Sequence, residues 1–204
     1  MLSAAEFQMR EPLPLHEVQR AVFEFCRGRT DIAIFGAQAV NVHVGVSRMT
    51  EDVDLLSSSP EAIANELAEA LHRAFHAAIR VRAVRPGQGY RIYQARGEES
   101  RHLVDVRLLE FPLRYLELDG VRYVALQQLA AMKMCALVRR RLAPKGATDL
   151  ADLRRLLLGH PELIADPSTV QAAIGEVGGG DEARAAWAEL VAAPLVPDDD
   201  GDGY

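Results

Sequence analysis

Cysteine is nearly absent from this 204-residue chain, which carries only Cys26 and Cys135. Both lie in apolar helical patterns, so a disulfide-stapled scaffold is excluded and reduced, buried thiols are expected. No apolar run approaches the roughly 20 residues that span a bilayer. The opening Met1-Leu2-Ser3-Ala4-Ala5-Glu6 lacks the basic region and long apolar run of a secretory signal. The expected setting is therefore cytoplasmic, with no membrane partner. Positive charge is not in surplus either: the net charge is −6 and the pI about 5.5. That argues against indiscriminate coating of nucleic acid or anionic membrane, and leaves room for a local basic site.

Several chemical signatures are missing as well. No Gly-x-Ser-x-Gly nucleophile motif occurs. His72 and His76 are four apart, but no glutamate follows His72, so the zinc-protease pattern fails. Asp198-Asp199-Asp200-Gly201-Asp202-Gly203 resembles the start of a calcium loop without its distal glutamate, and a disordered acidic tail is expected over 196–204. There is no internal repeat.

What remains is the composition of an ordinary globular protein, 49% hydrophobic and 25% charged, long enough for one full core and a small appended helical part. Leu15, Val18, Ala21, Val22 and Phe25 give a first amphipathic helix over 15–27. Residues 31–35 read as a buried strand, 37–44 as a short helix, and 48–50 as the loop into a strand carrying Asp52 and Asp54. Ser59-Pro60-Glu61 is a helix start with a serine cap, and that helix runs to about Ala77. Strands are expected over 79–84, 90–95 and 102–109, and Asp119-Gly120 is a hairpin turn. From Ala125 the period becomes 3.6 residues. Helices are expected over 126–141, 148–158, 161–165, 167–176 and 181–192, with Pro144-Lys145-Gly146 as a break. The fold class is α/β (α+β): a mixed α/β domain over 1–124 followed by a helical region over 125–195.

The chemistry concentrates in two stretches. Ile34-Phe35-Gly36-Ala37 places a glycine where a strand meets a helix, and free N–H groups at such a junction attract an anion. Arg48-Met49-Thr50-Glu51-Asp52-Val53-Asp54 then offers two aspartates one residue apart. In a strand their carboxylates share a face about 7 Å apart. Such hard oxygen ligands suit Mg²⁺ together with substrate phosphates. Asp105 lies among apolar neighbours in Leu103-Val104-Asp105-Val106. Beside the Asp52/Asp54 strand it would be a third carboxylate at a cation; otherwise it faces solvent and pairs with Arg107 or Arg91. Lys133 in an apolar helix is either a phosphate ligand or a snorkelling surface residue. Arg139, Arg140, Arg141, Lys145, Arg154 and Arg155 form a basic stretch that could meet RNA phosphates or simply be solvated.

In their order and spacing, these segments resemble the AbiE-type (AbiEii-like) toxin nucleotidyltransferases of the polymerase-beta-like nucleotidyltransferase superfamily. The resemblance runs over about residues 30–158. It rests on Gly36-Ala37-x-Ala39-Val40-Asn41, Arg48-x-Thr50-x-Asp52-x-Asp54-Leu55, Val104-Asp105-Val106, the Lys133 helix and Thr148-Asp149-Leu150-Ala151-Asp152. It implies a mixed sheet flanked by helices and transfer of a nucleoside monophosphate from an NTP to an acceptor hydroxyl. Asp52 and Asp54 would hold two Mg²⁺ ions, and Asp105 would be a third ligand or a base. Gly36 and Ala37 would border the triphosphate; Arg48, Thr50 and Lys133 would steady phosphate or nucleotide. Asp149 and Asp152 would fall in the family's Lys-Asp-x-x-Asp motif. The resemblance further implies an RNA (tRNA) or protein acceptor and a cognate antitoxin.

Two positions depart from the family pattern. Ala37 stands where glycine or serine is usual, removing a hydroxyl but no backbone donor. Thr148 stands where the motif's lysine is expected, with Lys145 nearby. Two other readings remain beside the toxin: an antibiotic (aminoglycoside-like) nucleotidyltransferase, and a non-catalytic nucleotide-binding protein on the same scaffold.

Overall fold

The computed structural model describes residues 11–46, 48–96 and 99–196; the expected acidic tail therefore lies, from 197 on, outside the described residues. The chain divides into two compact units, Met1–Ala39 with Ser47–Val124, and Val40–Val46 with Ala125–Tyr204.

The first unit is built on one seven-stranded sheet. Helix α1 (Leu15–Cys26) leads into β1 (Ile32–Phe35), and α2 (Gly36–Val44), whose residues up to Ala39 belong to this unit, follows with no intervening residue. Then come β2 (Val53–Ser57), α3 (Pro60–Phe75), β3 (Ile79–Arg85), β4 (Gly89–Arg96), β5 (Glu99–Leu108), β6 (Tyr115–Leu118) and β7 (Val121–Val124). The strand order is β3-β4-β5-β2-β1-β7-β6. β2 runs parallel to β5 and β1 parallel to β7, while the other neighbours are antiparallel. Helix α3 packs against β2, β3, β4 and β5. The side chains that alternate toward it, Val53, Leu55, Ile92, Val104 and Val106, are fully buried. Alternation sends Asp54, Arg91 and Asp105 to the opposite face.

The Asp119-Gly120 hairpin forms as expected, with φ of +53° and +74°, the two left-handed residues that match strand twist. The Ser59 cap does not: its side chain makes no capping bond, and its own N–H instead donates to Ser57 Oγ at 3.0 Å. Proline at the first helical position and Glu61 in the first turn suffice to start α3.

The second unit contains α4 (Leu126–Arg139), α5 (Pro144–Gly159), α6 (Glu162–Ala165), α7 (Ser168–Glu176) and α8 (Asp181–Ala192). Helix α4 packs against α5, α7 and α8, and Trp187 is sealed in this core, its indole donating to the Pro167 carbonyl at 3.1 Å. Pro144-Lys145-Gly146 is not a break. It is the first turn of α5, where proline needs no partner for its missing N–H. A Cβ on Gly146 would collide with the Arg140 carbonyl, so packing explains that glycine.

Candidate active site

Register builds the site. Asp54 lies opposite Asp105 on the parallel strand, Arg91 lies opposite Asp105 on the other side, and Phe35 lies opposite Asp54. Opposed residues share a face, so Arg91, Asp105, Asp54 and Phe35 form one row across β4, β5, β2 and β1. Asp52 directly precedes β2 rather than lying within it. Its loop is pinned by Thr50, which is buried: the hydroxyl donates to the Asp52 carbonyl at 3.2 Å and accepts from Gln38 at 2.8 Å and Gln19 at 3.2 Å. Gln19 also donates to the Thr50 carbonyl. Thr50 therefore fixes where the chain enters β2.

Gly36 is the first residue of α2 and has φ of +67°. A Cβ there would run into the Asp54 carboxylate, at 2.8 Å from its Cγ. The glycine thus serves two needs, a left-handed turn from strand to helix and room for an acid. Ala37 follows, half-buried, in the first turn of the helix. Arg48 is half-buried in the loop before Thr50.

The acids are not alone. Arg91 Nε donates to Asp105 Oδ1 at 2.8 Å. Arg107, two residues along β5 on the same face, reaches Asp105 Oδ2 at 3.4 Å and Asp54 Oδ1 at 3.5 Å, with its guanidinium 5.1 Å over the Phe35 ring. His102 bridges Asp52 and Asp105, with each ring nitrogen 3.3 Å from a carboxylate oxygen. Burial disfavours the charged form of Asp105, but His102, Arg91 and Arg107 outweigh it and hold the carboxyl well below the usual range. Burial likewise favours a neutral His102, yet Asp105 and Asp52 lift its pKa to about 10. Asp105 thus lies beside Asp54 and also pairs with Arg91 and Arg107, but it is buried rather than turned to solvent.

One ligand atom each from Asp52, His102 and Asp105 lies within 4.8 Å of the others, close enough to share a cation. His102 is the residue that sequence reasoning missed. It stands three before Asp105, and an odd offset normally puts side chains on opposite faces of a strand.

The remaining candidates belong to the second unit. Lys133 Nζ donates to Asp152 Oδ2 at 2.7 Å and Asp149 Oδ1 at 3.3 Å, and Arg140 closes on Asp149 Oδ2 at 2.6 Å. Arg155 lies 3.7 Å from Asp152 Oδ1 and donates to the Val46 carbonyl at 2.7 Å. Asp149 and Asp152 are at most 1% exposed, so this network ties α4 to α5. Two arginines of the expected basic stretch are committed to it. Arg139, Arg141, Lys145 and Arg154 remain on the surface.

A glycine-led helix after the first strand, an acid pair entering the second and a further acid on its parallel neighbour define the class, that of the nucleotidyltransferases. The family described as "Nucleotidyl transferase AbiEii toxin, Type IV TA system" matches residues 24–183, and the chain belongs to it. It is accordingly a nucleotidyltransferase by family. Among solved structures, the Megavirus polyadenylate synthase superposes with a TM-score of 0.60 at 13% identity, over 77% of this chain and 34% of that one. This chain thus spans about a third of that protein's length. JHP933 from Helicobacter pylori gives 0.50 at 15% identity, covering 94% and 91% of the two chains. ANT(2")-Ia, solved with adenylyl-2"-tobramycin, gives 0.51 at 14% identity, covering 79% and 92%. These likenesses are of fold. No curated protein matches the sequence. Among the described residues, no helix is long and apolar enough to cross a membrane.

Proposed function

We propose that the chain is the toxin of a toxin–antitoxin pair and moves a nucleoside monophosphate from an NTP to a hydroxyl of an RNA acceptor, with the help of Mg²⁺ or a similar cation. The observation that carries this reading is Asp54 facing Asp105 across parallel strands, with Asp52 at the entrance to the same strand.

The residues present fit a divalent cation. Donor atoms of Asp52, His102 and Asp105 lie within 4.8 Å of one another, and Gly36 leaves the Asp54 carboxylate space that a side chain would fill. Asp52, Asp54 and Asp105 would hold the ion or ions. When bound, these supply charge neutralisation at the phosphates and a lowered pKa for the attacking hydroxyl. The N–H groups of Gly36 and Ala37, in the unpaired first turn of α2, would face the triphosphate. The acceptor oxygen bonds to the α-phosphorus as the bond to the pyrophosphate oxygen breaks, and the hydroxyl proton leaves to water. Positioning and charge, rather than covalent work by the protein, account for the rate.

An RNA acceptor is favoured by what flanks the acids. Arg82 is paired with Arg91, and Arg80 with Tyr93, across β3 and β4 on the same sheet face. The guanidinium of Arg82 lies 5.1 Å over the Tyr93 ring. Cations interleaved with an aromatic ring suit phosphates and a stacked base. The same arginines would repel a polycationic aminoglycoside.

Incubation with each α-labelled NTP and, separately, total RNA, total protein and an aminoglycoside tests this reading. Label is expected in RNA. Label in the aminoglycoside alone would replace the RNA reading with the antibiotic one, and no label anywhere would leave a nucleotide-binding scaffold.

A further inference from the structure

β5 contains an irregularity that places a nitrogen ligand among the acids. Arg91 pairs with Asp105 and Ile92 with Val104, but Tyr93 pairs with His102, so Leu103 has no opposite number. One extra residue on β5 reverses the alternation, and His102 joins Asp105 on the same face despite the odd spacing. Leu103 and Val104 are consequently both buried on neighbouring positions. Bulges of this kind re-aim side chains beside active sites.

The histidine so placed is held in orientation. The Tyr93 ring lies 5.3 Å from the imidazole, tilted by 44°. Nδ1 is 3.3 Å from Asp52 Oδ2 and Nε2 is 3.3 Å from Asp105 Oδ1. Nε2 is buried, and its approach to Asp105 falls short of hydrogen-bond geometry. A ring between two carboxylates, with a buried nitrogen short of a good partner, is a donor set open to a cation.

We propose that His102 is itself a ligand of the divalent cation, sharing it with Asp52 and Asp105. The inference rests on the metal-dependent reading of the site given above. Imidazole is a softer donor than carboxylate or water, and mixed N,O,O sets bind divalent ions in the Irving–Williams order, with alkaline-earth ions held less firmly. The site therefore prefers Mn²⁺ to Mg²⁺.

Pulsed electron paramagnetic resonance of the full chain loaded with Mn²⁺ tests this without any turnover. A directly bound imidazole gives a ¹⁴N hyperfine coupling to the manganese. The wild-type protein is expected to show that coupling, to exchange it for the ¹⁵N pattern on selective ¹⁵N-histidine labelling, and to lose it in His102→Gln. Mn²⁺ affinity in that variant is expected to fall about tenfold or more, with Mg²⁺ affinity less affected. Should His102→Gln fail to fold, His102→Asn and the ¹⁵N-labelled wild type carry the same readout. Binding of Mn²⁺ with no nitrogen coupling, or coupling that survives both substitutions, overturns the assignment of His102 while leaving the carboxylate site intact. Failure of Mn²⁺ to bind at all overturns the metal-dependent reading together with it.

Discussion

Gly36 and Asp54 approach so closely that a single added Cβ on the glycine would overlap the aspartate's carboxylate. The approach couples the helix start of α2 to the acid on β2. Gly36→Ala meets both a left-handed backbone, which costs a non-glycine residue about 1–2 kcal/mol, and a displaced Asp54. Transfer activity is expected to fall about a hundredfold or more, with a modest loss of stability. Single-turnover transfer and urea unfolding separate the two effects.

Arg107 supplies charge to Asp54 and Asp105 from 3.5 and 3.4 Å. The arginine is half exposed, so its pairing contributes about 1 kcal/mol or less. In Arg107→Met the two acids keep their repulsion and lose this counter-charge. The metal-free protein is expected to melt slightly lower, and the rise in Tm on adding Mg²⁺ to exceed that of the wild type. Thermal scans in chelator and in Mg²⁺ give both numbers; an equal or smaller rise in the variant would contradict the shared use of these carboxylates.

Lys133 answers two buried aspartates at once. Lys133→Met leaves Asp149 with Arg140 and takes from Asp152 its partner at 2.7 Å, with Arg155 farther off at 3.7 Å. Removing one partner from such a buried network costs about 3–5 kcal/mol. Urea unfolding is expected to show a loss of that order. Retained stability would mean that Lys133 serves chiefly something other than the α4–α5 packing.

Thr50 offers a subtler handle. Thr50→Val keeps the shape but removes the acceptor for Gln38 and Gln19 and the donor to the Asp52 carbonyl. Gln19 keeps its bond to the Thr50 carbonyl, and both amides are half-buried, so each lost hydrogen bond costs about 0.5–1.5 kcal/mol. A drop in kcat is expected, from a loosened Asp52, with the KM for NTP changed less. The opposite split would assign Thr50 to nucleotide contact.

Much of this arrangement was legible beforehand, for local reasons. Asp119-Gly120 announces a hairpin because two left-handed residues are required between those strands. Gly36 after an apolar run marks the turn from β1 into α2. The strand containing Asp105 could be read from its neighbours, although its register with β2 could not, since pairing is a property of two distant segments. His102 was hidden for a sharper reason: the bulge at Leu103 defeats the period of two on which strand reading depends. Pro144-Lys145-Gly146 read as a break because its composition is that of a loop, and only the approach to Arg140 explains Gly146 within a helix. Asp149 and Asp152 carried a family signature in the sequence, whereas their burial against Lys133 and Arg140 emerges only from helix packing.

The most direct trial of the three-acid centre is single-turnover transfer of label from α-labelled NTP in the presence of Mg²⁺, wild type against Asp54→Asn. The amide keeps the size of the side chain and removes its charge, so folding should be preserved, with Tm unchanged or slightly raised. A loss of several kcal/mol of transition-state stabilisation corresponds to a rate lowered about a thousandfold or more, and that is the expected result. Transfer at the wild-type rate by a folded Asp54→Asn protein would contradict it.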